Sequence, residues 1–220
     1  MFKTTKGLIL REVKYKEADR ILTVLTEDMG KITVKARGAL RKGSKTAAAT
    51  QLLAFSELTM FENRGYWSVN EGSTIEEFKG LRSDISALAL ASYFAECIEA
   101  LSDEDQPNPY MLQLILNCLF ALSNDLYPQE HIKTAFEMRL MSLAGYNPRT
   151  ALTFWQKMAA SSSAKIPAFM SDHPSDSKRI SDIEKALPSI EQKYASYINA
   201  GKKSTTSKKS TTKKTTKKKK

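Results

Sequence analysis

The sequence is poor in the residues that carry most enzyme chemistry. It holds two cysteines, two histidines and two tryptophans in 220 residues. His131 and His173 fall in different predicted elements, and neither is expected to hold a metal or activate a nucleophile. Cys97 and Cys118 sit inside apolar helical patterns and read as core thiols rather than as a disulfide or a metal pair. No GxxxxGK[ST] phosphate loop, GxSxG elbow or HExxH pair is present. No apolar run approaches the roughly 20 residues that span a bilayer. The N-terminal apolar stretch, Gly7 to Leu10, is too short for a secretory h-region. These absences lead to the expectation of a soluble, cytoplasmic protein without catalytic turnover, cofactor or metal.

What the sequence does have is positive charge, unevenly spread. The formal net charge is +10, yet residues 1–80 carry +4, residues 81–142 carry −6, residues 143–200 carry +2 and residues 201–220 carry +10. The excess therefore lies in the last twenty residues. Net basicity is no argument that the folded part binds a polyanion. That argument rests on GKITVKARGALRKGSK, residues 30–45, where Lys31, Lys35, Arg37, Arg41, Lys42 and Lys45 occur with no acidic residue among them.

Residues 1 to about 78 predict an all-β domain. GLILREVKY, RILTVLTE, KITVKARG, QLLAFSELTMFEN and GYWSVNEG are short β-rich runs separated by turn signals. In the third, Ile32, Val34 and Ala36 alternate with Lys31, Thr33, Lys35 and Arg37, giving one apolar and one cationic face. Five such strands predict a small closed barrel of the oligonucleotide-binding (OB) kind, with a small sandwich as the alternative.

From Leu81 the period becomes helical. SDISALALASYFAECIEAL predicts a helix capped by Ser83, with Ile85, Leu88, Ala89, Ala91, Ser92 and Ala95 on its apolar face. After the acidic loop SDEDQPNP come two further helices, YMLQLILNCLFALSND and PQEHIKTAFEMRLMSLAG. The second has Pro128 at its first turn and Gly145 as its C-cap. RTALTFWQKMAA predicts a short amphipathic helix, and SKRISDIEKALPSIEQKYASYINA a helical region interrupted at Pro188. GKKSTTSKKSTTKKTTKKKK has nothing to bury and is expected to be disordered. The expected fold class is thus α+β: a five-stranded OB-fold barrel (1–80), a helical domain (81–200) and a disordered polybasic tail (201–220).

The basic cluster has a bland reading, a solvated strand face followed by a loop. Three features favour nucleic acid. The charges run past the strand into GALRKGSK. Gly38, Gly43 and Ser44 make that loop small and mobile, so its cations can follow a backbone. The enclosing barrel is of a shape that binds single strands. Binding of this kind neutralises phosphates and releases counterions, without reading sequence. Tyr15, Phe61, Tyr66 and Trp67 are candidates for stacking on bases, with Trp67 preferred. Arg139, in the third helix, is a candidate for binding an acidic peptide terminus; a structural ion pair near Glu137 or with Asp84 is the competing reading. The ten tail lysines suit nonspecific support of nucleic-acid binding, or a solubilising extension.

With these residues in view, residues 1–148 resemble the RecO family of recombination and repair mediators. The stretches that carry the resemblance are GLILREVKYKEADRILTVLTEDMGKITVKARGALRKGSK, LLAFSELTMF and FEMRLMSLAGYNP. The resemblance implies an OB-fold domain followed by helices, binding of single- and double-stranded DNA, and annealing of complementary strands. It implies RecR and the single-stranded-DNA-binding protein as partners, and through them the recombinase RecA, on the nucleoid rather than at a membrane. By position it places Arg20, Lys31, Lys35, Arg37, Arg41, Lys42 and Lys45 on the basic barrel surface. Many RecO-like chains carry a four-cysteine zinc module after the GYxP element. No cysteine follows Cys118, so no zinc is expected. Residues 144–190 also resemble the C-terminal end of HtpX-type zinc metallopeptidases, through FWQKM and HPSDSKRI, without that family's catalytic motif. The alternative function is therefore a catalytically inert, peptidase-derived interaction module with a polybasic tail for anionic surfaces.

Overall fold

A computed structural model describes residues 1–147, 149–150, 152–153, 156 and 176–199. It divides into two units, Met1–Phe136 and Glu137–Lys220, with the division inside one helix.

The first unit opens with five strands: β1 (Phe2–Tyr15), β2 (Asp19–Thr26), β3 (Lys31–Ala36), β4 (Phe55–Asn63) and β5 (Tyr66–Glu76). They close into a barrel in the order β1-β2-β3-β5-β4. β1 is long enough to serve two partners. Its first half pairs with β4, from Phe2↔Phe61 to Leu8↔Phe55, and its second half with β2, from Gly7↔Thr26 to Tyr15↔Asp19. Parallel pairing of β3 with β5, Val34↔Trp67 and Lys35↔Ser68, completes the closure. This is the OB architecture. The period-two pattern works as expected: Ile32, Val34 and Ala36 point inward with Ile9, Leu22, Val24, Leu58 and Met60. Each large apolar side chain so buried contributes roughly 1.5–3 kcal/mol. Two strand ends differ from expectation. β1 starts at Phe2, since residues 2–6 pair with β4. β4 starts only at Phe55, because residues 51–54 belong to the preceding loop.

That loop, residues 37–54, carries the glycines and serine on which the expectation of mobility rests, and it is folded on itself. It is a succession of tight turns: Arg41 N–H donates to the carbonyl of Gly38, Ser44 to Arg41 and Ala47 to Ser44. Ala39, Ala49 and Ala54 are small enough to pack into the barrel core. The loop is also tied to the strands, with Leu40 N–H donating to Ala18 and Leu53 N–H to Ile9.

After a 3₁₀ turn (Lys79–Arg82) come α1 (Ile85–Leu101), α2 (Pro109–Ser123) and α3 (Gln129–Leu143). The cap of α1 is Asp84, whose carboxylate accepts from Ser86 N–H. Ser83, the expected cap, instead closes the 3₁₀ turn through Gly80. The buried face is also shifted, to Ala87, Ala91, Phe94, Ala95 and Ile98; Ile85 is 88% exposed. Apolar residues surround the first turns of α1, so their period selects no face. Phe94 selects it, stacking on Phe136 of α3 at 4.0 Å between ring centroids. Gly80 packs its backbone against the Ser123 carbonyl at the end of α2, leaving no room for a Cβ. His131 is half-buried, not solvated as its place in the first turn of α3 suggests, and it is engaged by a neighbour. Cys118 is buried and Cys97 half-buried.

In the second unit α3 ends as expected. Gly145, at φ 82°, donates to Ser142, and Tyr146 N–H reaches back to Met141. α4 (Asp176–Lys193) contains Pro188 without interruption. The proline lies on the exposed side, while Ile183, Leu187, Ile190, Tyr194 and Ile198 form one buried stripe. Arg149 holds Glu191 through two hydrogen bonds, 2.5 and 2.8 Å, and this carboxylate raises the guanidinium pKa. The predicted helix at 149–160, His173 and the tail lie largely or wholly outside the described residues. No helix among the described residues is long and apolar enough to cross a membrane.

Candidate nucleic-acid interface

The outward face of β1–β2–β3 carries Arg11, Val13 and Tyr15, then Asp19, Ile21 and Thr23, then Lys31, Thr33 and Lys35, by the registers Val13↔Ile21↔Lys35 and Arg11↔Thr23↔Thr33. One end of this face is covered by α1. Glu99 pairs with Arg11 at 3.0 Å and accepts from Thr23 at 3.5 Å. The same end receives the acidic loop. Lys31 pairs with Glu104 in an isolated parallel β-bridge of the backbone, its N–H donates to Asp103, and Asp105 N–H donates to its carbonyl. Gly30, at φ 71°, is pressed against the Gln106 backbone. The other end, around Tyr15, Asp19 and Lys35, leads into the 37–45 loop.

The seven cations assigned to this surface therefore separate into two groups. Arg20, Lys31 and Lys35 are held within the protein. Arg20 is 13% exposed. Its Nη1 donates to the carbonyls of Ala47 (3.2 Å) and Thr50 (3.0 Å) and lies 3.5 Å from Glu12, and its Nε is buried. It is a clamp on the back of the loop, not a phosphate contact, because its donors point inward. Glu12 reinforces the clamp by accepting Leu52 N–H. Lys31 donates to the Glu99 carbonyl at 2.8 Å and stands at the α1 end of β3, about 20 Å along the strand from Arg37. Lys35 pairs with Asp19 at 3.0 Å and lies over the Tyr15 ring at 4.7 Å. Asp19 in turn accepts Gly38 N–H at 2.8 Å. That backbone hydrogen bond, with the bond and charge of Lys35, lowers the Asp19 pKa below its ordinary 3.8.

Arg37, Arg41, Lys42 and Lys45 form the second group. All four are exposed, and no ion pair or side-chain hydrogen bond joins them to another described residue. The Arg41 side chain lies over Gly38. The loop beneath them is fixed by Asp19 at one end and Arg20 at the other. Four cations with no ion-pair partner among the described residues are thus displayed on a pinned loop beside the sheet face.

Trp67 does not offer a stacking surface. It is half-buried and packs against the barrel core, because its register opposite Val34 turns it inward. Its neighbour Tyr66, at the β4–β5 turn, is 77% exposed. Lys14, Lys16 and Arg64 are exposed at the β1–β2 and β4–β5 turns and were not singled out in the sequence; lysines flanking a hairpin turn are the signal that would have found them. Arg139 is half-buried on α3, and no ion pair joins it to another described residue. Asp84 is occupied by Ser86 and Gln129.

The family model described as Recombination protein O N terminal matches residues 1–78, and that described as Recombination protein O C terminal matches residues 82–193. The chain belongs to the RecO family. The C-terminal RecO match runs through residues 144–190 as well. The chain is 38% identical over 144 residues to the DNA repair protein RecO of Acetivibrio thermocellus, covering 66% of this chain and 57% of that protein. It is 34% identical over 143 residues to DNA repair protein RecO of Listeria monocytogenes serotype 4b, covering 65% and 56%. With DNA repair protein RecO of Halalkalibacterium halodurans it shares 30% over 148 residues, covering 67% and 58%. The chain spans under three fifths of the length of these RecO relatives.

Proposed function

We propose that this chain is a DNA-repair mediator without catalytic turnover. It binds single- and double-stranded DNA through the barrel, anneals complementary strands, and works with RecR and the single-stranded-DNA-binding protein in loading RecA. The observation that carries this reading is the set of four exposed cations, Arg37, Arg41, Lys42 and Lys45, with no partner among the described residues, on a loop fixed by Asp19 and Arg20. A loop already ordered loses little freedom when it meets a backbone, so more of the phosphate attraction appears as affinity. Four neutralised phosphates correspond to a log–log salt slope of about −3 on single strands. Annealing follows from the same electrostatics. Cations that screen two phosphate chains lower the repulsion between them, and contacts made to phosphates leave base edges available for pairing.

The acidic helical region is the better surface for protein partners, with Arg139 as a contact for an acidic peptide terminus. The names of the relatives support the repair role. The test is annealing of complementary labelled oligonucleotides by the full chain. Acceleration that falls markedly on changing Arg37, Arg41 and Lys42 to alanine is the expected result. Annealing no faster than in buffer contradicts the mediator reading.

A further inference from the structure

At the open end of the β1–β2–β3 face, next to the cationic loop, lies an aromatic and apolar strip. Tyr15 is 40% exposed, Val13 is 48% exposed and Ile21 is half-buried, and their pairing places them side by side. Cations border the strip. Lys35 lies 4.7 Å and Lys16 5.6 Å from the Tyr15 ring centroid, and Arg37 follows directly after β3. A connected set of contacts joins ring and loop: Tyr15 to Lys35, Lys35 to Asp19, and Asp19 to Gly38 N–H. Asp19 does not repel a phosphate strongly, because Lys35 and the amide already satisfy it. The outward face of strands 2 and 3 and the loop between strands 1 and 2 are where OB barrels receive oligonucleotides, and here, among the described residues, α1 and the acidic loop cover the opposite end.

We propose that Tyr15, flanked by Val13 and Ile21, is a stacking subsite for one unpaired nucleobase, with Lys16 and Arg37 holding the adjoining phosphates. This rests on the nucleic-acid reading above and deepens it: an aromatic face can accept a base only when that base is outside a duplex. The subsite separates single from double strands, whereas the loop cations serve both.

The experiment is fluorescence anisotropy of the full chain with a labelled oligothymidylate and, separately, with a labelled duplex, each across a salt series. Tyr15→Ala is expected to weaken oligothymidylate binding about tenfold. The salt slope and duplex affinity stay unchanged, since no phosphate contact is lost. Tyr15→Phe keeps the ring and is expected to bind normally. Tyr15→Leu keeps apolar bulk without the flat ring, and is expected to lose most of the single-strand affinity while preserving the hairpin. Irradiating the unsubstituted chain with an iododeoxyuridine-containing single strand is expected to cross-link Tyr15. Equal losses on single strand and duplex, or no loss with Tyr15→Leu, would overturn the proposal while leaving the loop as a DNA surface. Failure of the unsubstituted chain to bind either probe would overturn both readings.

Discussion

At the scale of single residues, the basic cluster contains two kinds of cation that identical chemistry conceals. Arg37, Arg41 and Lys42 have no described partner to lose. Changing each to alanine is expected to alter stability by no more than about 0.5 kcal/mol, and the three together to lower the single-strand salt slope by about two units. Arg20 is the opposite case. Arg20→Ala removes charged hydrogen bonds to the part-buried carbonyls of Ala47 and Thr50, costing about 2–3 kcal/mol in urea denaturation. Arg20→Lys recovers only part of this, because an ammonium cannot reproduce the guanidinium fork. The sequence shows where the cations are but not which are free. The partners of Arg20 lie 27 and 30 residues away in a loop with no periodic signal. Trp67 was misleading for a similar reason: its inward turn follows from pairing with β3, which is distant in sequence.

Elements show a different balance. The barrel was legible because alternation in β3 and the turn signals between runs are local properties. The face of α1 was not, because its N-terminal half is apolar all round and only Phe136 decides which side is buried. Turns and loops carry the acid sensitivity. Asp19 ties β2 to the 37–45 loop. Asp28 ties the β2–β3 turn to β1, accepting from Thr5 and pairing with Lys3 at 3.1 Å. Both carboxylates titrate below their ordinary 3.8 in the fold, Asp19 chiefly through the Gly38 amide and Asp28 chiefly through the Thr5 hydroxyl. A carboxylate depressed by folding stabilises fully above its unfolded pKa, and that stability is lost as pH falls through the folded value. Their contribution is therefore constant at neutral pH and disappears below pH 3.8. The double change Asp19→Asn, Asp28→Asn is expected to flatten the acid limb of Tm against pH. Gly30→Ala is expected to cost about 2 kcal/mol or more in urea denaturation, since it combines φ 71° with contact against the Gln106 backbone.

Across the whole molecule, charge is arranged by segment. The acidic stretch 81–142 includes Glu99 and the 103–105 loop, which cover the Lys31 end of the sheet face. The cations of the 37–45 loop stand at the other end of β3. On the proposed reading, a polyanion is directed to the cationic end of the barrel, and the acidic surface is left for protein partners. The central claim is that the cations of the 37–45 loop form a DNA surface in their own right, beside a tail carrying +10. The most direct measurement is binding of a labelled single strand across a salt series by three forms: the full chain, a truncation ending at Ala200, and that truncation with Arg37, Arg41 and Lys42 changed to alanine. The truncation is expected to bind more weakly than the full chain but clearly, and the triple change to reduce both affinity and salt slope. Loss of all binding with the tail alone would contradict the account and leave the loop cations as a solvated surface.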